Sequence, residues 1–338
     1  MSSPSTSDRD QAVENLRKIL SNINLYFGSS ILIFGIIGNI LNILILSQKS
    51  LRSNSCIIIF IAESITGLTA TIFGLTFRIL SIWDLDITDN HQWLCKVCTF
   101  VAFSSRSATY WLIMLATIDR WIVSSRNTRV RQLNTIKNVY RSIFLMILFS
   151  MIIHFQAFYC YVTDSISNPD QCFNKDQKCP MISDLIFAII TVLCPLILIL
   201  VFGLMTISNI RSSRSRIEPT PVSSINRPSH IIGSNNRRQN EKRDRSVLIM
   251  LFIQVILLAI LTLPMVIQRF YSTAKMNNGR RPIGLPRIND RFFYQITLLL
   301  TFIATGMQFY VNTFSGGPVF RKALIDFFRW IIQKIRCQ

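Results

Sequence analysis

The chain is short of acids and of histidine: 17 Asp and Glu stand against 36 Lys and Arg, with three His in 338 residues. No His is spaced with the eight cysteines as a metal ligand would be, so neither a metal site nor a cofactor is expected. The sequence has no Gly-x-Ser-x-Gly nucleophile and no His/Asp or His/Glu metal set, which removes the basis for a membrane-embedded hydrolase. It has no Asn-x-Ser/Thr sequon. It also has no internal repeat and no paired broken helices, and Glu63 is the only acid well inside an apolar run, so a transporter or channel is the weaker alternative.

What the chain has is apolar length. Half of its residues are apolar, gathered in runs near Leu25–Leu46, Ile57–Leu80, Cys95–Ile122, Ile143–Tyr161, Leu185–Ile207, Val247–Tyr271 and Phe292–Phe314. About 20 such residues let a helix cross roughly 30 Å of hydrocarbon. Lipid leaves the backbone no water to bond, so only helices or closed barrels span it. The expected fold is therefore all-α, a seven-transmembrane helix bundle.

Net charge of +19 would suggest nucleic acid in a soluble chain, but here its placement follows the loops of a membrane protein. Of the Lys and Arg, 22 fall in segments 47–56, 120–141, 208–246 and the C-terminal tail, and 13 in or beside the N-terminus and the other three loops. The excess marks the first group as cytoplasmic, with the N-terminus outside and the C-terminus inside. The 269–291 loop, with six basic residues, runs against that rule. No cleavable signal is evident, and the first run reads as a signal anchor.

Three parts are expected: an extracellular N-terminal tail at 1–22, a membrane domain at 23–315, and a C-terminal segment at 318–338. Segment 208–246, rich in Ser, Arg, Asn and Pro, lacks the means to bury a core and reads as mostly disordered. After the stop at Ser315-Gly316-Gly317-Pro318, apolar residues from Phe320 to Ile335 recur at helical spacing opposite Arg321, Lys322, Asp326, Arg329 and Lys334. That pattern predicts an amphipathic eighth helix on the membrane surface, with Cys337 as a candidate for palmitoylation.

The third run ends in Asp119-Arg120-Trp121, and Cys95 lies 25 residues before Arg120. Gly38-Asn39 stands in the first run, Pro195 in the fifth, Pro264 in the sixth, and Phe320-Arg321 opens the tail helix. In this order the set resembles the rhodopsin-like G-protein-coupled receptors, over about residues 24–336. Asp119-Arg120-Trp121 is similar to that family's Asp/Glu-Arg-Tyr motif. Departures are clear. Gly67 stands where the second helix normally carries Asp, with Glu63 one turn away; Gln308-Phe309-Tyr310-Val311-Asn312 replaces Asn-Pro-x-x-Tyr; Leu261-Thr262-Leu263-Pro264 replaces Cys-Trp-x-Pro. The seventh run has no Lys for an opsin's Schiff base, and Ala102 stands where an amine receptor carries Asp. The pattern loosely resembles divergent invertebrate peptide receptors.

The resemblance implies a plasma-membrane receptor without enzymatic chemistry. Its partners would be an extracellular ligand (a peptide in first place), a heterotrimeric G protein and the lipid bilayer, with no nucleic acid. The switch residues it implies are Asp119, Arg120, Trp121, Asp244 and Pro264. Asp244 lies where the family places an acid opposite the arginine, and Pro264 kinks the sixth helix as a lever. The implied disulfide joins Cys95 to Cys172, with Cys179 as rival partner and Cys98–Cys179 as a candidate second bridge. An unrelated seven-helix chemosensory protein is the other alternative.

Thr99, Ala102, Phe103 and Arg106 are the expected wall of a ligand pocket, with Gln268, Tyr271, Phe293 and Gln295 near its mouth. Arg106 lies 11 residues below Cys95, roughly 16 Å deep. A charge there meets either a ligand carboxylate, or Glu63 or a network that includes Gln308. The rim residues Lys275, Arg280, Arg281, Arg287 and Arg291 suggest an acidic ligand, although the acidic outer loops oppose that reading.

Overall fold

The computed structural model describes residues 6–48, 54–80, 91–164, 168–174, 178–214, 231–277, 285–315 and 317–336. Helices α1 (Thr6–Leu46), α2 (Ser55–Leu80), α3 (Gln92–Ser124) and α4 (Ile136–His154) lead to a short antiparallel pair, β1 (Tyr161–Asp164) and β2 (Asn168–Asn174). The fifth helix, α5, runs through Lys178–Leu185, a π-helical Ile186–Leu193 and Cys194–Arg214. Then come α6 (Ile231–Asn277), α7 (Leu285–Gly306), α8 (Gln308–Ser315) and α9 (Gly317–Arg336). The two short strands are the one departure from an all-helical chain among the described residues.

Five stretches are long and apolar enough to cross a membrane: Glu14–Leu46, Ser55–Leu80, Ile136–Cys160, Cys179–Ile210 and Leu251–Lys275. A sixth arises when α7 and α8, bent by 55° at the break after Gly306, are taken as one span. The chain is thus a bundle of several membrane-spanning helices. α3 is not among these, because hydroxyls and charges dilute its apolar content. Its packing explains why it tolerates them: residues 104–117 are buried without interruption, so this part of α3 meets protein on every side. Its hydroxyls bond back to the preceding turn, Ser104 to Phe100 O (2.7 Å), Thr109 to Ser105 O (3.0 Å) and Thr117 to Ile113 O (3.1 Å), so these are not stranded.

Side-chain hydrogen bonds set the register between helices. Thr66 of α2 meets Thr109 of α3 at 3.0 Å. Asn42 of α1 donates to Ser64 of α2 (2.7 Å), Ser64 to Gln308 of α8 (3.1 Å), and Asn312 of α8 back to Asn42 (3.0 Å). His154 of α4 meets Thr191 of α5 at 3.2 Å. In a membrane such polar contacts between helices hold neighbours in register. The π-helical turn sits just before Pro195, whose nitrogen has no hydrogen to donate. α6 runs unbroken through Pro264.

The helices differ from expectation at their polar ends. Residues 6–22, expected as a tail, belong to α1. Segment 208–246, expected as mostly disordered, begins inside α5, which runs to Arg214, and ends inside α6, which starts at Ile231; 215–230 lie outside the described residues. Propagating a formed helix costs little, so it outlasts the apolar run. α9 is helical as expected, with Phe320 and Ala323 buried against the bundle, while Phe328 and Ile332 of the expected apolar face are exposed. Gln48 donates to its Ala323 carbonyl (2.9 Å), and Arg321 donates to the Thr313 and Phe314 carbonyls that close α8. Cys337 lies outside the described residues.

The cysteines also differ. Cys160, at the end of the turn after α4, is bonded to Cys179 at the start of α5, with Cα atoms 5.4 Å apart, and the bridge encloses the β1–β2 pair. This excludes Cys179 as partner of either Cys95 or Cys98, and Cys98 remains a thiol. The chain reverses between β1 and β2, which brings two residues 19 apart in sequence into bonding range. Cys95 is itself disulfide-bonded. The proposed Cys95–Cys172 pairing turns on the Cys172 side chain, which lies outside the described residues. Non-reducing peptide mapping of surface-expressed protein should recover a linked Cys160/Cys179 peptide and alkylatable Cys98. A Cys98–Cys179 peptide would contradict this.

Candidate functional site

Both ends of α3 carry charge inside the protein, and the two ends are treated differently. At the Arg120 end, Asp119 is buried and accepts three hydrogen bonds: from Ser55 Oγ (2.8 Å), Asn134 Nδ2 (3.1 Å) and Arg120 Nη2 (2.9 Å). Arg120 is only 4% exposed and donates also to Asn54 Oδ1 at 2.7 Å. The same oxygen accepts the Cys56 amide (3.1 Å), so Asn54 caps α2 and holds Arg120 at once. The positive end of α2 therefore faces Asp119, which suits its charge. Trp121 packs on Phe202 of α5, ring centroids 5.2 Å apart. The expected Asp119-Arg120-Trp121 unit thus joins α2, α3, α5 and the loop before α4. The expected Arg120–Asp244 pair involves a side chain outside the described residues.

Toward the Cys95 end, Arg106 is 3% exposed. Its guanidinium lies over the Phe302 ring, 4.1 Å from the centroid. Among the described residues it has neither an ion pair nor a hydrogen bond, and its Nε is a buried donor without an acceptor. The alternative expected from sequence, a pair with Glu63 or a network with Gln308, does not form. Glu63 instead accepts from Gln254 of α6, and Gln308 accepts from Ser64. The reason is register. Thr66 and Thr109 share one level, Glu63 lies one turn from it toward the Arg120 end, and Arg106 one turn the other way. That separates the two by about 9 Å along the axis. The Arg106 side chain also leans toward the start of α3, as helical side chains do, and away from Glu63. A desolvated cation–π contact is worth about 2 kcal/mol. The several kcal/mol lost on burying an ion outweigh it.

Around Arg106, and within electrostatic reach of it, are Arg78, Arg269 and Tyr294. Arg269 of α6 pairs with Asp184 of α5, donates to Tyr294 Oη (3.1 Å) and lies over the Tyr294 ring at 4.7 Å. Arg78 of α2 donates to Gln295 Oε1 at 2.9 Å. Of the residues expected to line a pocket, Ala102 is buried, Thr99 half-buried, and Phe103 stacks near His154 and Tyr161, both at 5.9 Å. Gln268 is tied to the Asp290 carbonyl (3.3 Å). Tyr271 and Phe293 do not join the cluster. They are 57% and 61% exposed, while Arg269 and Tyr294, close by in sequence, turn inward. Of the basic rim, Lys275 is neutralised by Asp290 at 2.6 Å. Arg280 and Arg281 lie outside the described residues.

Residues 38–307 match the family described as 7 transmembrane receptor (rhodopsin family). The chain belongs to that family. Members of this family are non-enzymatic signal receptors. No curated protein matches the chain.

The receptor's departures from the family pattern have a packing logic. A Cβ on Gly67, where the family carries Asp, would lie 3.0 Å from the Thr305 carbonyl oxygen and 3.3 Å from Asn39 Oδ1. A carboxylate there would face two acceptors. The buried acid sits one turn lower, at Glu63, where Gln254 donates to it. Gln254→Leu should strand Glu63 and lower thermal stability of the purified receptor by about 1–3 kcal/mol. A Glu63→Leu/Gln254→Leu double variant should recover most of that loss. Additive losses would show that the two side chains do not act as a pair.

Proposed function

We propose that the receptor binds an extracellular peptide between the Cys95 ends of its helices and activates a heterotrimeric G protein at the Arg120 end. The N-terminus is outside the plasma membrane and the C-terminus in the cytosol, as the distribution of Lys and Arg suggests. The observation that carries the reading is the enclosure of Arg120, held by Asp119 and Asn54 within a family of signal receptors. A cation gripped in this way is a latch: the surface a G protein would use is closed while the grip lasts. Asp244 on α6 is the second proposed partner, and with it the pair bridges α3 and α6. Ligand binding shifts the equilibrium to a form in which α6, levered at Pro264, has swung outward. The 120–141 segment and the ends of α5 and α6 then complete the docking face. α9 lies along the membrane surface, with Cys337 as its lipid anchor. The likeness to invertebrate peptide receptors and the polar segments between the helices at the outer face support the peptide assignment.

The test measures G-protein dissociation in cells at matched surface expression. Asp244→Asn should raise ligand-free signalling severalfold, because each 1.4 kcal/mol taken from the resting state multiplies the active fraction about tenfold while it is small. Arg120→Ala should abolish the response to any agonist found in a peptide-library screen. Unchanged basal activity in the first variant, together with full agonist response in the second, would reject the mechanism.

A further inference from the structure

Resting on the receptor reading, we propose that Arg106 binds a carboxylate of the ligand, that Phe302 forms a wall of this subsite, and that Arg269 adds positive charge to its field.

Arg269 already has Asp184, whereas Arg106 has no acid among the described residues. One monoanion is what Arg106 lacks. A guanidinium binds in its plane, where its five N–H groups point, and a carboxylate matches two of them in parallel. The Arg106 guanidinium sits over the Phe302 ring, 4.1 Å from its centroid, and among the described residues its N–H groups have no acceptor. In a low-dielectric interior these charges favour an anion and penalise a neutral isostere.

The site is also built sterically. A Cβ at Gly74 would stand 2.4 and 2.5 Å from two carbons of the Phe302 ring. Only glycine there lets the ring slide between α2 and Arg106 and act as a shelf. Glu63, the buried acid toward the Arg120 end, is a level away and held by Gln254, so it does not compete. A structural arginine would have been given a partner by the fold, as Arg120 and Arg269 are. Arg106 is held in place and left with donors to spare.

The carboxylate comes from a peptide, as a free C-terminus or acidic residue, or from a small organic acid. Two matched probe pairs separate these sources: benzoate against benzamide, and N-acetyl-Gly-Phe against its C-terminal amide. The full-length receptor, in phosphatidylcholine nanodiscs, is titrated with each while its thermal unfolding midpoint is read. No G protein is present, so a failed coupling assay with binding intact would count against the proposed signalling and not against this site. In at least one pair the acid should raise the midpoint saturably, at concentrations about tenfold lower than its amide. The pair that discriminates names the source. Arg106→Gln should erase the preference, and its unliganded midpoint should equal or exceed that of the unsubstituted receptor, because an uncompensated charge has been removed. Arg106→Lys should keep a weakened preference. Acid and amide behaving alike in both pairs would overturn the proposal, as would a preference that survives Arg106→Gln. Failure of both variants to fold would assign Arg106 a structural role and would overturn it too.

Discussion

Desolvation of charge along α3 is the constraint from which the rest of the receptor follows. The middle of this helix is enclosed by its neighbours, so its polar groups do not reach water. Ser104, Ser105, Thr109 and Thr117 bond back to their own helix, and three buried charged side chains remain to be met by the fold. Asp119 and Arg120 are met by the start of α2 and by Asn134, with both carboxylate oxygens used. Those bonds fix how α2, α3 and the following loop sit together. Arg106 is met by an aromatic ring and, among the described residues, by no acid. The same helix therefore has one end whose charges are met and one where, among the described residues, a charge is not; in the proposed reading the first is the latch and the second receives the ligand's anion.

Between the two lies a polar ladder that replaces the family's usual contacts. Glu63–Gln254 joins α2 to α6, and Asn42, Ser64, Gln308 and Asn312 join α1, α2 and α8. Gly67, in the place of the family's Asp, brings the backbone of α7 close to α2. These bonds link the element that would carry the ligand signal to the element that would move. A path of this kind has physical content only if its bonds break and re-form between states.

Much of the architecture was legible in the sequence, because apolar runs long enough to span lipid are rarely found in soluble domains. The Asp119-Arg120-Trp121 unit was legible as well, since an ionic pair beside an apolar run has to be met by something. Other features were not. The Cys160–Cys179 bridge depends on a chain reversal between β1 and β2, which spacing alone does not encode. At the mouth of α6 and α7, residue type points to Tyr271 and Phe293, while the residues that face in are their near neighbours Arg269 and Tyr294. In a helix apolar on most sides, periodicity does not fix which face is buried, so residue type misleads. The isolation of Arg106 from Glu63 followed only from the α2–α3 register set by Thr66 and Thr109.

The central claim is that Asp119 and Asn54 position Arg120 for the proposed pair with Asp244 of α6, which holds the Arg120 end of the bundle shut. It is tested most directly by a distance between α3 and α6 at that end. Spin labels placed at Asn127, just past α3, and at Ile249 on α6 occupy exposed positions outside the cluster. Double electron–electron resonance on the receptor in nanodiscs should give a single short population. With Asp119→Ala, a second, longer population should appear. An unchanged distribution in the variant would contradict the account, because the cluster would then hold nothing that moves.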